Sequence, residues 1–517
     1  MTRAGLLLAV FLSAAASLCI ELAIVRLGAP YVGQSLLPWS AAIASVLLGL
    51  TGGHVLGGML ASRTSTVTQV STAFSVVWLT AGAAAGMIPG ALLIFVETLS
   101  GAHGFGDGAA AAIAALAFPP SMAAGFVAPL AVRAATIMPQ VQLPRMVGAI
   151  YAASAAGSVL GTAAAGFVLL EQVGAAGLTS IVAVLWIALG IAMVPWRSAP
   201  AKPLVGGIVA IIAAIPVVIL LVAPGPCLRE SRYTCIRLHD RALADGSLLR
   251  FMMLDEGVHS ASDRDHPQRL HLGYAALADR LAQAAFAQSI APQALVVGGG
   301  GATLPRAWAS LSGGTKVTSI ELDPTVAAIA NDQMWAGEHP RLTTIVGDGR
   351  ALVRALPVSV AFDVVLMDAY RTRSVPPHLV TREFDRLIAG RLKSHGVFLS
   401  NVIDRSRTPL LALSIARTLS EVFPAVDIWA SDTEAEGMTN YVVAAWKSGS
   451  STHRSDHEIV VASVMNAGEA VRSRDGVWRR IDIATANAQW PDACGVVLTD
   501  DRAPVDRLLA GRAGCRD

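Results

Sequence analysis

Hydrophobic positions run almost without interruption through the first 225 residues and then give way to short alternating stretches. Apolar segments near residues 5–25, 37–60, 70–96, 109–131, 147–170, 176–195 and 204–223 are each long enough, as helices, to cross about 30 Å of hydrocarbon. They predict an α-helical transmembrane bundle of about seven spans. The first segment is too long, and lacks a suitable cleavage region, to be a removed signal peptide, so it stays as a helix.

From residue 228 the period changes. Tyr233 to Leu238 and Leu248 to Leu254, separated by Ala244-Asp245-Gly246, predict a β-hairpin. Apolar runs follow at Ala294 to Val297, Val317 to Ile320, Leu342 to Val346, Asp363 to Met367, Gly396 to Val402, Val426 to Trp429 and Tyr441 to Trp446, with helical patterns between them. That alternation predicts a mostly parallel, doubly wound, Rossmann-like α/β sheet. The domains expected are a multi-pass bundle over 1–225, a β-hairpin and connecting region over 226–290, a Rossmann-like domain over 291–450 and a C-terminal extension packing on it over 451–517.

Composition supports a chain partly in lipid: 517 residues with 15% charged and a mean hydropathy of +0.55 are far from a soluble average. The net charge of +2, from 39 basic residues without a basic run, gives no nucleic-acid footprint. Cys19 lies in an apolar segment; Cys227, Cys235, Cys494 and Cys515 lack zinc-site spacing, so no metal is expected. They read equally well as disulfides or as ordinary thiols.

Within the bundle, Gly49, Gly53 and Gly57 share one helix face and Gly157 and Gly161 repeat the device, a signal of close helix packing. Glu21, Arg26 and His54 read either as a buried polar cluster or as structural pairs and interfacial side chains. Arg3, Arg63, Arg133, Arg145, Arg197 and Lys202 fall on one side of a seven-span arrangement and Arg26 near the other, which predicts a cytoplasmic amino terminus. An odd number of spans then puts the polar part outside, in agreement with disulfides and in conflict with the supply of a cytoplasmic cofactor. Two passes or a re-entrant hairpin in 70–96, or a last segment that does not span, would return it to the cytoplasm.

Ligands of doubly wound sheets bind at the carboxyl ends of the strands. The first such end is Gly298-Gly299-Gly300-Gly301, the second Glu321, the third Asp348-Gly349 and the fourth Asp368. Glycines permit close backbone approach, and an acid twenty residues beyond the glycine loop is placed to accept from ribose hydroxyls.

With Glu230-Ser231-Arg232-Tyr233, Leu254-Asp255, Glu321-Leu322-Asp323-Pro324, Asp348-Gly349-Arg350, Asp368-Ala369-Tyr370 and Leu498-Thr499-Asp500-Asp501 added, the chain resembles the spermidine synthases, or polyamine aminopropyltransferases. It is most similar to their membrane-fused relatives, in which a bundle like half of a major facilitator transporter precedes the synthase domain. Glu21-Leu22, Arg26 and Gly57-Gly58 through Arg63 carry that part. The resemblance implies a methyltransferase-type sheet in which Glu321 holds the ribose, Asp348 and Gly349 meet the adenine, the Gly298 loop contacts the thioether region and Asp368 faces the reacting centre, with Tyr274 and Tyr370 at the substrate.

The chain departs from the family's pattern at several positions. Gly301 stands where the family has an aspartate, His259 where it has a glutamine, Tyr274-Ala275-Ala276 where it has Tyr-His-Glu, and Arg371 where it has a second aspartate. His259 is then a candidate base or donor beside Asp368, or a surface histidine. The loop Arg371 to His378, with Arg373, reads as a solvated loop, or as a lid or acceptor wall whose basic side chains suit an acceptor bearing a carboxylate or phosphate as well as an amine. The function implied is aminopropyl transfer from decarboxylated S-adenosylmethionine to an amine such as putrescine. The alternatives are methyl transfer from S-adenosylmethionine and a non-catalytic nucleoside-binding membrane sensor or transporter. The expected partners are a small-molecule amine or other acceptor and the lipid bilayer, with a homo-oligomer open.

Overall fold

The computed structural model describes residues 2–32, 36–100, 107–196, 202–222, 225–370, 374–431, 437–448, 458–467, 470–482, 485–486 and 495–511. Arg197, Arg371, Arg373, Cys494 and Cys515 lie outside the described residues. Contacts divide the chain into two units, Met1–Arg237 with Leu254–Glu256, and Leu238–Met253 with Gly257–Asp517.

The first unit is helical: α1 (Arg3–Val32), α2 (Leu36–Ser62), α3 (Val67–Ser100), α4 (Asp107–Gly125), α5 (Val127–Ile137), α6 (Leu143–Ala164), a π-helical turn at Ala165–Leu169, α7 (Leu170–Met193) and α8 (Lys202–Val222). Among the described residues five stretches are long and apolar enough to cross a membrane: Arg3–Tyr31, Trp39–Ser62, Val67–Phe95, Ala111–Ile137 and Leu143–Met193. The last has 51 residues, which at about 1.5 Å per residue is more than twice a bilayer core. It is broken at Gly174 (φ 69°, ψ 172°), so it covers two of the seven expected segments. Of α8 only Gly206–Pro216 counts as a shorter apolar helix. No hairpin interrupts α3, which contains Pro89 and is a single helix.

Small residues set the packing of this unit. A Cβ on Gly53 would collide with Met122 O and stand 2.8 Å from Gly125 Cα, and one on Gly57 would stand 2.8 Å from Phe126 Cα, so α2 lies nearly backbone to backbone on α4. Gly157 and Gly161 do the same against Phe11 and Ala15 of α1. The indoles of Trp78 and Trp186 both donate to the Ser13 hydroxyl, at 3.1 and 3.2 Å, which satisfies two buried donors with one acceptor. Arg26 is buried and donates to Ser231 O at 2.6 Å, whereas His54 stands exposed; the three ionisable residues form no common cluster. Cys227 and Cys235 are disulfide-bonded. Cys235 opens β2 (Cys235–Ala242), which pairs antiparallel with β1 (Arg229–Glu230).

In the second unit β2 ends and β3 (Leu248–Leu254) and β4 (Gly257–Asp263) follow it in one small sheet. The turn between β2 and β3 has Gly246 at φ +86° and is held by Ser247, whose N–H and hydroxyl both donate to Asp245 Oδ1. After α9 (Gly273–Phe286) come β5 (Gln293–Val297), α10 (Thr303–Ala309), β6 (Lys316–Glu321), α11 (Pro324–Gln333), β7 (Leu342–Val346), α12 (Gly349–Ala355), β8 (Phe362–Met367), α13 (Arg382–Ala389), β9 (Leu392–Arg405), α14 (Leu410–Ser420), β10 (Ala425–Ser431), β11 (Met438–Trp446), β12 (Glu458–Ala467), β13 (Ala470–Asp482) and α15 (Val505–Leu509). The large sheet has the order β12-β13-β10-β11-β9-β8-β5-β6-β7.

Five strands, β7-β6-β5-β8-β9, pair in parallel, and the other four join through antiparallel pairs. The sheet is therefore mixed rather than mostly parallel. Antiparallel pairing toward the carboxyl-terminal end does not announce itself in a period that reads the same for either direction. The central strands are apolar throughout because both faces are covered: Leu295 and Val297 of β5 belong to one core with Val365 and Met367 of β8, while Ala294 and Val296 belong to the other with Val364 and Leu366. The chain winds from β5 to β6 and β7 on one side and returns to β8 and β9 on the other, so the switch in direction falls between β5 and β8.

Candidate active site

At that switch the loops after β5 and β8 meet. A Cβ on Gly298 (φ +97°) would collide with Asp368 O and stand 2.6 Å from Ala369 Cα, so only glycine lets the two strand ends approach. Asp368 N–H donates to Val297 O at 2.8 Å and closes the junction. A cavity of about 720 Å³ opens beside it. Its wall includes Gly298, Gly299 and Gly300 with Asp368, His259 and Tyr274. Asn401, Asn440, Tyr370 and Trp478 line it further along.

Successive N–H groups of the glycine loop are occupied from within the protein. Gly300 N–H donates to Glu321 Oε2 at 2.8 Å and Gly301 N–H to Ser260 Oγ at 2.8 Å. The other Glu321 oxygen accepts from Asp323 N–H at 3.0 Å. Burial raises the Glu321 carboxyl above its ordinary value, and these N–H donors oppose the rise. Gly301 itself faces β4: a Cβ there would stand 2.7 Å from Ser260 Cβ. The aspartate that the resemblance places at this position has no room while Ser260 is present.

Asp368 accepts from Tyr274 O–H through Oδ2 at 3.0 Å and from Asn401 Nδ2 through Oδ1 at 2.7 Å. Burial pushes its pKa up to about 6, with both hydrogen bonds acting in the opposite direction. Burial also lowers His259 to about 4, so its imidazole is neutral at neutral pH and a weaker proton acceptor than Asp368. Tyr370 O–H donates to Asn401 O at 2.7 Å and its oxygen accepts from Ile403 N–H at 2.8 Å. That hydroxyl is committed to backbone, and it is the ring of Tyr370 that is left to a ligand.

Gly301, Glu321, Asp348 and Gly349 are not among the residues that line this cavity. Asp348 caps α12 through Ala351 N–H at 2.8 Å and meets His378 Nε2 at 2.8 Å. Burial alone would raise its pKa, but the Ala351 N–H and His378 outweigh it and leave the carboxyl below its usual range. Gly349 packs against Val297, whose Cγ1 would lie 2.5 Å from an added Cβ. Asp500 of the carboxyl-terminal motif makes a bidentate pair with Arg350, both bonds 2.6 Å, and so ties the chain end to α12. Among the described residues no group of His, Cys, Asp and Glu is arranged to hold a metal.

Among the lining residues that escaped the strand-end reading are Ser260, Asn401, Asn440 and Trp478. A signal for Asn401 was available, since it and Ser400 are the two polar residues in the run Val397 to Ile403; the structure buries it, 3% exposed. Ser260 and Trp478 come from β4 and β13, strands that the hydropathy pattern did not reveal.

Residues 282–453 match the family described as the spermine/spermidine synthase domain. The segment contains the glycine loop, Glu321, Asp368, Asn401 and Asn440, and excludes His259, Ser260, Tyr274 and Trp478. A polyamine aminopropyltransferase of Vibrio vulnificus is 32% identical over 114 residues, 22% of this chain and 38% of that protein. A probable polyamine aminopropyl transferase of Bifidobacterium longum is 26% identical over 241 residues, 43% of this chain and 52% of that protein. The chain thus spans about half, or less, of the length of these curated relatives. A lysine and N-terminal methyltransferase of Xenopus laevis is 28% identical over 140 residues, 26% of this chain and 20% of that protein. Among solved structures, a probable spermidine synthase from Corynebacterium glutamicum aligns with a TM-score of 0.38 and 21% identity, over 42% of this chain and 79% of that one. Residues 282–453 thus carry a domain of the spermine/spermidine synthase type.

Proposed function

We propose that the second unit moves an aminopropyl group from decarboxylated S-adenosylmethionine to an amine acceptor such as putrescine. The observation that carries this reading is Asp368, a carboxylate with a pKa of about 6 at the end of β8, facing a cavity beside the glycine loop. In the reaction an amine nitrogen attacks the methylene carbon next to the sulfonium, the carbon–sulfur bond breaks and the neutral thioether leaves with the bonding pair. The amine must lose a proton to Asp368, which is ionised above about pH 6 and close enough to its working pH to accept it. Glu321 is assigned to the ribose and the Gly298 to Gly300 edge to the thioether.

The donor tail follows from charge. Among the described lining residues there is no lysine or arginine, and the Gly300 and Gly301 N–H groups already have partners. Among the described residues no counter-charge lines the cavity for the carboxylate of intact S-adenosylmethionine, and burying it near Asp368 unpaired is a costly placement. The decarboxylated donor avoids it. Methyl transfer is the second reading, favoured by the Xenopus relative and by ribose contacts common to both donors.

The first unit is proposed to anchor the enzyme in a bilayer. Reading the kinked Leu143–Met193 stretch as two passes and adding α8 gives seven crossings. With the amino terminus cytoplasmic, everything after α8 stands on the opposite side, where the Cys227–Cys235 disulfide is at home.

Calorimetric titration of the detergent-purified protein with decarboxylated S-adenosylmethionine, S-adenosylmethionine and methylthioadenosine tests the donor assignment, with Glu321→Ala as control. Preference for the decarboxylated donor, lost in the control, supports aminopropyl transfer; preference for S-adenosylmethionine moves the assignment to methyl transfer; no binding of any of the three removes the nucleoside site.

A further inference from the structure

Two amides stand in line behind Asp368. Asn440 of β11 donates from Nδ2 to Asn401 Oδ1 at 2.9 Å, and Asn401 of β9 donates from Nδ2 to Asp368 Oδ1 at 2.7 Å. β9 and β11 are antiparallel neighbours, with Asn440 opposite Ile403 and Val442 opposite Asn401, so the two side chains are two positions out of direct register on one face of the sheet. We propose that Asn440 and Asn401 form a positioning relay that holds Asp368 as an acceptor and fixes which way the Asn401 amide points.

The polarity of the relay follows from what each end of an amide can do. With Asn440 donating, the Asn401 oxygen is taken and only its NH2 end can face Asp368, which favours the carboxylate. If Asn440 presented its oxygen instead, the Asn401 NH2 would turn to it. The Asn401 oxygen would then face Asp368, an arrangement that suits only the protonated acid. The relay therefore has two settings, one for each protonation state of Asp368, and the setting observed is that of the base.

Among the described residues nothing else facing Asp368 supplies a charge near neutral pH. Tyr274 from α9 and Tyr370 after β8 are both raised well above the ordinary tyrosine value by burial, and His259 from β4 is neutral. The Asn401 N–H and the Tyr274 O–H are thus the two groups that oppose the burial of the carboxylate. The Tyr274 hydroxyl can rotate to donate or accept. Asn401 cannot, because Asn440 has fixed it.

This inference rests on Asp368 being the proton acceptor, and its test separates the two. In the full-length protein, Asn440→Asp, Asn440→Leu and Asn440→Gln are compared by the acidic limb of the kcat/KM profile for transfer and by carbon-13 NMR titration of the Asp368 carboxyl, assigned by its loss in Asp368→Asn. Asn440→Asp, nearly isosteric, accepts the Asn401 NH2 and moves the midpoint up by about one pH unit or more. Asn440→Leu, which adds no charge, moves it in the same direction by less, and kcat falls more than KM changes. Asn440→Gln keeps a donor and restores most of the wild-type midpoint. An NMR midpoint that stays put in both Asn440→Leu and Asn440→Asp overturns the relay. A shifted midpoint in a protein that transfers nothing with any donor keeps the relay and overturns the reaction.

Discussion

Asp368 is a buried acid asked to work as a base, and the conflict has measurable consequences at the scale of the single residue. Its pKa in the folded protein, about 6, lies above its ordinary value of 3.8, so the folded state binds this proton more tightly than the unfolded chain. Stability from the group is fully present below about pH 4 and is lost as pH rises through 6. Asp368→Asn is therefore expected to raise the melting temperature at pH 8, by the equivalent of about 1–3 kcal/mol, and to give no gain at pH 4. The same substitution should lower transfer by about 100-fold or more, with donor affinity in calorimetry nearly intact. Transfer by the wild-type protein should fall below pH 6 as Asp368 takes up its proton. His259→Gln should leave that limb where it is, because His259 titrates near 4; a limb that moves with His259 assigns the base to the imidazole instead.

At the scale of elements, the glycine loop after β5 and the strand β4 make one device. Ser260 fills the space in which a side chain at 301 would lie and satisfies the Gly301 N–H. Restoring the carboxylate that the resemblance places there, as Gly301→Asp, should then cost donor binding about tenfold or more by displacing the loop. The double variant Gly301→Asp with Ser260→Gly should recover it in the same titration. Equal affinity of the single variant and the wild type would mean that the loop is soft enough to absorb the side chain. β4 was hard to read from the sequence because Gly257-Val258-His259-Ser260-Ala261-Ser262-Asp263 mixes polar and apolar residues on both faces. His259 and Ser260 turn to the cavity while Ala261 joins a small core with Leu249 and Phe251.

For the whole molecule, the proposal is that seven passes carry the chain from a cytoplasmic amino terminus to an oxidising side. In a background of Cys494→Ser and Cys515→Ser, a membrane-impermeant maleimide should label intact cells only after treatment with an impermeant reductant, through Cys227 and Cys235. Labelling that requires cell lysis would place the second unit in the cytoplasm. The disulfide closes a short loop between residues 227 and 235, and constraining the unfolded chain in this way contributes about 2–3 kcal/mol. Reductant should accordingly lower the melting temperature, and Cys227→Ser should reproduce the shift without it.

The sequence by itself determined the two-part hydropathy of the chain and the central parallel strands, because strands buried on both faces must be apolar along their whole length. It also set the glycine, glutamate and aspartates at their carboxyl ends, where the chain leaves the sheet and side chains become available to a ligand. Tertiary structure decided the rest. It turned Gly301 against Ser260, gave Asp348 to His378 and the start of α12, committed the Tyr370 hydroxyl to backbone, and brought Asn401, Asn440 and Trp478 to the cavity from strands 30 residues and more beyond Asp368. Periodicity reports which face of an element is buried, whereas these pairings depend on strand order and register. Those are set by the packing of the whole sheet and leave no mark in the local pattern.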